Sequence, residues 1–230
     1  MNPRVNELLD SLPDNEYQIL TSKMDLVSLT KGQTLFEVGM IPQYVYFPVG
    51  ALISMVNDGP DGNSVETYMI GKACFAGVGA LGIPSFYRAT VRSGGLAYRL
   101  SVSDLMRAAK CCPVYEDRVK FSVQRMLMRM STSVLCGKKH TIEQQLVRWI
   151  LVTLDRTLTN QMDITHREIS DLLGFRREGV TLALGKFIDA GLIETSRGNL
   201  TVVDRAGLEA ISCDCYWIGQ EKKRPELYLA

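Results

Sequence analysis

Residues 176–186 carry side chains that can read the edges of DNA bases. The candidate contacts in this segment are Arg176, Arg177, Glu178, Thr181, Leu182 and Lys186. An arginine can donate two hydrogen bonds to a guanine edge, and a glutamate can accept one from a cytosine amino group. Leu182 can do neither, but it can contact a thymine methyl group. We therefore interpret Arg177 and Glu178 as candidate base readers.

Two helices joined by a tight turn are predicted to position these residues. Thr165-His166-Arg167-Glu168 has the pattern of a capping box, in which the first and last side chains satisfy backbone amides at a helix start. Gly174 can adopt the left-handed conformation that ends a helix. In the second helix, the apolar residues recur at the spacing of a buried face: Val180, Leu184, Phe187 and Ile188.

A two-stranded wing is predicted after the second helix, with Ser196–Asn199 between its strands. The further candidate DNA contacts are Thr165, His166, Ser196 and Arg197. Net charge does not support DNA binding, because residues 160–211 contain six basic and eight acidic side chains, a balance of −2. The interpretation depends instead on where the basic side chains lie. A winged domain that docks another protein is the alternative.

Residues 164–181 resemble the DNA-binding segment of the Crp/Fnr family of bacterial transcription regulators. The match includes the capping box and the pair Arg177-Glu178. The family's second helix often carries another arginine one turn later, where this chain has Leu182. The resemblance implies a sequence-specific regulator that binds a pseudo-palindromic site in double-stranded promoter DNA as a homodimer and contacts RNA polymerase. The resemblance does not imply which DNA sequence the protein prefers.

The same resemblance implies an α+β architecture in four parts. Residues 1–110 are expected to form a sensor, an antiparallel β-roll like a cyclic-nucleotide-binding domain. Residues 111–137 are a long dimerisation helix, and residues 138–216 are a winged helix-turn-helix domain. Residues 217–230 are a short tail. The alternative is a module that responds to a cyclic nucleotide or another ligand and docks a protein partner.

Short β-type runs separated by glycines support the expected roll. The clearest predicted strands are Thr34–Phe36, Tyr44–Phe47, Leu52–Val56, Val65–Ile70 and Ala97–Leu100. Asp58-Gly59-Pro60-Asp61-Gly62 predicts a hairpin turn. The segment from Lys31 to Gly39 also resembles the opening of the family's cyclic-nucleotide-binding roll.

The candidate effector pocket departs from the family pattern at the ribose and phosphate contacts. Its residues are Gly77, Val78, Arg88, Ala89 and Thr90. In nucleotide-binding relatives a glutamate holds the ribose, whereas this chain has Val78, and Ala89 stands in place of a serine. Arg88 can still bind an anion. A charge-assisted hydrogen bond contributes about 1.5–3 kcal/mol to binding, so the loss of the glutamate should weaken nucleotide binding. We therefore expect the roll to be retained and typical cyclic AMP binding to be lost.

The stretch from Val114 to Gly137 predicts a long helix that pairs with a second copy of the chain. An apolar line recurs at spacings of four, three, four and four residues: Val119, Val123, Met126, Met130 and Val134. We call this set the heptad line and interpret it as the dimer contact; the alternative is that it packs on the chain's own roll. A second apolar line, through Leu127 and Leu135, is predicted to pack on the helix's own domain. Cys136–His140 is expected to break the helix as a hinge, and Thr141-x-x-Gln144 is expected to cap the next helix with a capping box.

No cofactor, metal site or enzymatic activity is expected. The six cysteines form no CxxC pair, and we interpret their thiols mainly as packing residues, with a redox role for Cys111-Cys112 as an alternative. The cluster-binding relatives use cysteines near the N-terminus, where this chain has none before Cys74. Neither an iron–sulfur cluster nor haem is therefore expected. No phosphate loop, metal-ligand helix or nucleophile elbow is present. The absence of a signal peptide or membrane span predicts a cytoplasmic protein without membrane contact.

Overall fold

The computed structural model describes residues 1–60, 62–77, 82–218 and 220. They divide into two compact units. The first unit contains residues 1–58 and 66–126, and the second contains residues 59–65 and the chain from residue 127 onward. Among the described residues, no helix combines the length and the apolar character that crossing a membrane requires.

The first unit is built on antiparallel strands, as predicted, although residues 64 and 65 at the start of one of them belong to the second unit. These are β1 (Asp25–Leu29), β2 (Thr34–Phe36), β3 (Tyr44–Pro48), β4 (Leu52–Asp58), β5 (Ser64–Ile70), β6 (Arg88–Ser93) and β7 (Gly95–Ser101). One sheet has three strands in the order β1-β7-β3, and the other has four in the order β2-β6-β4-β5. The strands β1 and β6 were not predicted. Gly95 allows the tight entry into β7, because a Cβ there would lie 2.6 Å from the carbonyl carbon of Gly50.

Short helices precede the roll: a 3-10 turn (Pro3–Val5), α1 (Glu7–Asp10) and α2 (Asp14–Thr21). Buried Asn6 connects this segment to the roll, since its side-chain amide donates to the carbonyls of Pro48 and Cys74 at 3.0 and 2.9 Å. Helix α3 (Val102–Ala109) and the long helix α4 (Pro113–Lys139) follow the roll.

Buried Glu16, on α2, satisfies the start of α4. Its two carboxylate oxygens accept hydrogen bonds from the backbone amides of Val114 and Tyr115 at 3.0 and 2.8 Å. The first amides of a helix have no partner within the helix. A side chain from a distant part of the sequence therefore caps α4, and it also places a negative charge at the favourable end of the helix dipole.

Helix α4 continues through Gly137 and ends at Lys139, so the break falls at the end of the predicted segment Cys136–His140, two residues beyond the expected helix end at Gly137. A single glycine costs a helix only about 1 kcal/mol, which neighbouring turns readily offset. The boundary is set instead by Thr141, which begins the next helix with the predicted capping box. Its hydroxyl accepts from the amide of Gln144, and the Gln144 side chain accepts from the Thr141 amide.

The exposure of the two apolar lines of α4 differs from what the sequence suggested, because Met126 is covered by the chain itself whereas Leu127 and Leu135 are not. In the heptad line, Met126 is buried within the chain, Val119, Val123 and Met130 are half-buried, and Val134 is exposed. The apolar side chains that α4 leaves exposed are Phe121, Leu127, Val134 and Leu135. We call these four residues the exposed line. Spacing alone shows that two lines exist, but it does not show which one the chain covers with its own side chains.

The second unit contains α5 (Ile142–Arg156), β8 (Gln161–Asp163), α6 (His166–Leu173), α7 (Arg177–Asp189), β9 (Ile193–Ser196), β10 (Asn199–Val202), α8 (Arg205–Ala210) and α9 (Asp214–Ile218). The wing is a three-stranded sheet in the order β8-β10-β9, not the predicted two-stranded hairpin, because Gln161–Asp163 pairs with β10. The core of this unit draws its fully buried side chains from several helices and from the sheet: Leu146, Ile150, Ile169, Val180, Leu184, Leu200 and Leu208.

Candidate nucleic-acid interface

The turn between α6 and α7 forms as predicted. At the start of α6, Thr165 accepts from the amide of Glu168 at 3.2 Å, and Glu168 accepts from the amide of Thr165 at 2.7 Å. Gly174 ends the helix with a φ of +68°, a conformation that other residues adopt only at a cost. The buried hydroxyl of Ser170 donates to the carbonyl of Phe175 at 2.6 Å and fixes the turn.

Helix α7 has one buried face and one exposed face. Val180, Leu184 and Phe187 are buried as predicted, whereas Ile188 is 39% exposed and Ala183 lies in the core instead. Arg177, Glu178, Thr181 and Leu182 are all exposed, and we call these four residues the recognition face. Leu182 is 70% exposed. Because the buried face packs on α5 and α6, it determines which side chains the helix presents to solvent.

Two side-chain contacts fix α7 from its flanks. The Nδ1 atom of His166 lies 3.2 Å from the hydroxyl of Thr181, which connects the starts of the two helices. The Lys186 ammonium donates to Glu143 on α5 at 2.7 Å and holds the pKa of that carboxyl at about 2. Lys186, a predicted DNA contact, is therefore engaged in an intramolecular ion pair.

A cleft of about 260 Å³ lies between the start of α6, the start of α7 and the wing. Arg167, Arg177 and Arg197 line it, together with Thr165, His166 and Ser196. Three guanidinium groups and the amino-terminal end of a helix make this surface favourable for an anion such as a phosphate. The sequence predicted most of these contacts separately, and the fold brings them together. Arg167 was not among the predicted contacts, and Arg176 is exposed at the N-cap of α7.

The tip of the wing holds an arginine in a disfavoured backbone conformation. Arg197 has a φ of +46° and Gly198 has a φ of +83°. Two residues with positive φ between the paired Ser196 and Asn199 are characteristic of a type I′ hairpin, for which asparagine and glycine are preferred. An arginine at the first position costs stability, and such outliers often coincide with functional sites.

The candidate effector residues occupy different environments in the first unit. Arg88 and Thr90 share one face of β6, where their side chains hydrogen-bond at 3.2 Å, whereas Ala89 is buried and faces the opposite side. Arg88 also donates to Asp58 at 2.9 Å, which raises the pKa of the guanidinium. Gly77 has a φ of +111° and lies against the backbone of residues 44 and 45. Val78 lies outside the described residues.

A protein-family model matches the segment that contains the two helices and the wing. Residues 144–211 match the model of the Crp-like helix-turn-helix domain. This segment is a Crp-like helix-turn-helix domain. It contains most of α5, the recognition face and the whole wing, so the predicted family resemblance of this segment is confirmed. No curated protein sequence matches the chain.

Solved structures extend the likeness from the Crp-like domain to most of the chain. A CRP-family transcriptional regulator of Thermus thermophilus is 20% identical, with a TM-score of 0.67 over 80% of this chain and 95% of its own. FixK2 of Bradyrhizobium japonicum is 18% identical, with a TM-score of 0.69 over 83% of this chain and 98% of its own. A Crp/Fnr-family regulator from Eubacterium rectale is 16% identical, with a TM-score of 0.67 over 90% and 98%. The chain therefore has the Crp/Fnr fold, as expected.

Sequence reasoning missed one group of side chains in the second unit. Cys136, His140, Cys213 and Cys215 lie together, although the thiols were interpreted as packing residues and the histidine as part of a hinge. A signal was available, because positions 136 and 140 are one helical turn apart and therefore face the same way. The pair Cys213-x-Cys215 gave no comparable reason to place it beside them.

We predict that Arg197→Asn stabilises the Crp-like domain while weakening its affinity for duplex DNA. Asparagine tolerates the left-handed backbone better than arginine, so unfolding should be harder by about 0.5–1 kcal/mol. The slope of the logarithm of the DNA-binding constant against the logarithm of the salt concentration is negative. Loss of the guanidinium should make this slope shallower by about 0.9. Thermal unfolding and binding titrations in increasing salt measure the two effects. Arg197→Lys retains the charge and the backbone strain and should change neither; unchanged binding by Arg197→Asn would contradict a wing contact to phosphate.

Proposed function

We propose that the protein is a homodimeric transcription regulator that binds a pseudo-palindromic site in double-stranded promoter DNA. The observation that carries this proposal is the exposed recognition face of α7 beside a cleft lined by three arginines, in a Crp-like domain. In helix-turn-helix proteins the second helix enters the major groove and the adjoining elements contact phosphates. The family also makes RNA polymerase the expected protein partner.

In this proposal, Arg177 and Glu178 read bases and the surrounding groups hold the backbone. Both side chains are exposed on the first turn of α7, the part of a recognition helix that reaches base edges. Arg167, Arg176 and Arg197 flank them, where phosphates of the same groove would pass. Leu182, one turn further, offers an apolar contact to a thymine methyl group. Lys186 remains a proposed phosphate contact, and its exposed ammonium also pairs with Glu143 on α5.

Two copies are proposed to pair through the exposed line of α4. Phe121, Leu127, Val134 and Leu135 are large apolar side chains that the single chain leaves in solvent. Burying an apolar side chain of this size is worth about 1.5–3 kcal/mol, so covering Leu127, Val134 and Leu135, which lie on one side of the helix, favours association. A twofold dimer would present two α7 helices about 34 Å apart, one turn of DNA, to successive major grooves.

The roll is proposed to have lost typical cyclic AMP binding. Arg88 is the side chain expected to hold the cyclic phosphate, and it already forms ion pairs with Asp58 at 2.9 Å and Glu37 at 3.8 Å. A phosphate would have to compete with two carboxylates for the guanidinium and would meet their negative charge. Ala89, which stands in place of the family's serine, is buried and supplies no hydroxyl.

The base-reading role is tested with Arg177→Ala, compared with its neighbour Arg176→Ala. Selection from random duplexes first gives the preferred site, and titrations then measure affinity for this site and for its single-base variants. Arg177→Ala should lose about 1–3 kcal/mol on the preferred site and lose discrimination at one base pair of each half-site. Arg176→Ala should weaken all duplexes about equally. An unaltered sequence preference in Arg177→Ala would exclude this residue as a base reader.

Dimerisation is tested with the double substitution Leu127→Glu and Val134→Glu. Four carboxylates brought together in a dimer should raise the dissociation constant at least tenfold, about 1.4 kcal/mol, in sedimentation experiments. Arg118→Glu, an exposed position elsewhere on α4, is the matched control and should remain dimeric. A double variant that dimerises like the wild type would show that the exposed line is not the contact.

Cyclic AMP binding is tested by calorimetric titration of the full chain. No saturable heat is expected up to about 1 mM nucleotide, which corresponds to a binding free energy weaker than about −4 kcal/mol. Asp58→Asn removes one of the carboxylates that compete for Arg88, so it should bind cyclic AMP no more weakly than the wild type. Micromolar binding by the wild-type protein would refute the proposed loss.

A further inference from the structure

Three cysteines and a histidine converge in the second unit, and none of them lines the cleft beside the recognition face. Cys136 lies in the last turn of α4 and His140 directly follows that helix, whereas Cys213 directly precedes α9 and Cys215 lies in its first turn. The three thiols are buried and the imidazole is half-buried. Their ligand atoms all lie within 4.8 Å of one another.

Two distances within the group are close to the edges of a tetrahedron around one metal ion. The sulfurs of Cys136 and Cys213 are 3.7 Å apart, and the Cys215 sulfur lies 3.6 Å from His140 Nδ1. With zinc–sulfur bonds of about 2.3 Å and zinc–nitrogen bonds of about 2.0–2.1 Å, tetrahedral geometry requires sulfur–sulfur edges of roughly 3.8 Å and sulfur–nitrogen edges of roughly 3.5 Å. A disulfide would bring two sulfurs to about 2.05 Å.

We propose that Cys136, His140, Cys213 and Cys215 form a structural site for Zn²⁺. Three thiolates and one imidazole are among the common ligand sets of structural zinc, in which the protein supplies all four ligands. Soft sulfur ligands disfavour Mg²⁺ and Ca²⁺, which bind oxygen. An iron–sulfur cluster requires room for several irons and sulfides between its thiolates. The close spacing of these four ligand atoms favours a single ion.

The charge around the group supports this assignment. Zn²⁺ with three thiolates and a neutral imidazole carries a net charge of −1. Arg148 of α5 interacts electrostatically with all three cysteines, and its guanidinium donates to Ser133 at 2.7 Å. Its buried Nε atom has no hydrogen-bond partner among the described residues. Three neutral thiols offer no negative charge to balance the buried Arg148 guanidinium. A metal site with a net charge of −1 would balance its positive charge.

The site would close a long loop of the chain. Cys136 and Cys213 are separated by 77 positions, and the whole Crp-like domain lies between them. Joining the ends of such a loop removes conformational freedom from the unfolded chain, as a disulfide does. The metal would therefore stabilise the second unit without contacting the recognition face. This inference does not depend on the proposed DNA target.

The first test is the metal content of the full chain, purified with its thiols reduced and without chelator. Elemental analysis should find about one zinc per chain, and replacement by Co²⁺ should give the charge-transfer and d–d absorption of tetrahedral thiolate coordination. Removal of the metal by a chelator should lower the unfolding temperature by about 5–10 °C, and added Zn²⁺ should restore it. A fully reduced chain that takes up no Zn²⁺ or Co²⁺ would refute the site.

Variants then test the ligand set. Cys213→Ser and Cys215→Ser should lower the zinc content to less than about a tenth of the wild-type value, whereas Cys111→Ser, at an exposed cysteine outside the group, should retain it. If the ligand variants fail to fold, His140→Gln retains all three thiolates and should bind Zn²⁺ with at least tenfold lower affinity. Full zinc content in both Cys213→Ser and Cys215→Ser would overturn the assignment, as would wild-type zinc affinity in His140→Gln.

Discussion

The packing of α7 against α5 and α6 is the constraint on which the rest of the second unit depends. Val180, Leu184 and Phe187 bury one face of α7, and this burial leaves the opposite face, with Arg177 and Glu178, in solvent. The capping box at Thr165 and the left-handed Gly174 set the angle at which the helices meet. Polar side chains can be presented to a groove because apolar side chains on the other side of the same helix hold it in place.

Local signals predicted the winged domain well, because its helix boundaries are determined by residues close in sequence. Both capping boxes form, and Gly174 ends α6 as predicted. The third wing strand was missed because β8 has only three residues, Gln161–Asp163, and is recognisable only through its pairing with β10. The misplaced helix end at Gly137 shows that a helix-disfavouring residue does not end a helix when the capping signal lies at Thr141.

What the sequence could not show depends on contacts between distant residues. Spacing revealed two apolar lines on α4, but which of them the chain covers depends on its tertiary packing. In the structure Met126, a member of the heptad line, is buried. Glu16 caps α4 from 98 positions away, and Cys213 meets Cys136 across 77 positions. The environment of Arg88 is also non-local, since Asp58 lies 30 positions from it. No motif within a window of a few residues contains such information.

The position of α9 has a consequence for the order in which the chain acquires its structure during synthesis. Cys215 and Tyr216 are buried, and the short helix that carries them packs on α5, which is translated some sixty residues earlier. A nascent chain that has completed the wing therefore still exposes the part of α5 that α9 will cover. The domain can close only after residues 213–218 have left the ribosome. Chains truncated before that point would expose the apolar surface of α5 that α9 otherwise covers.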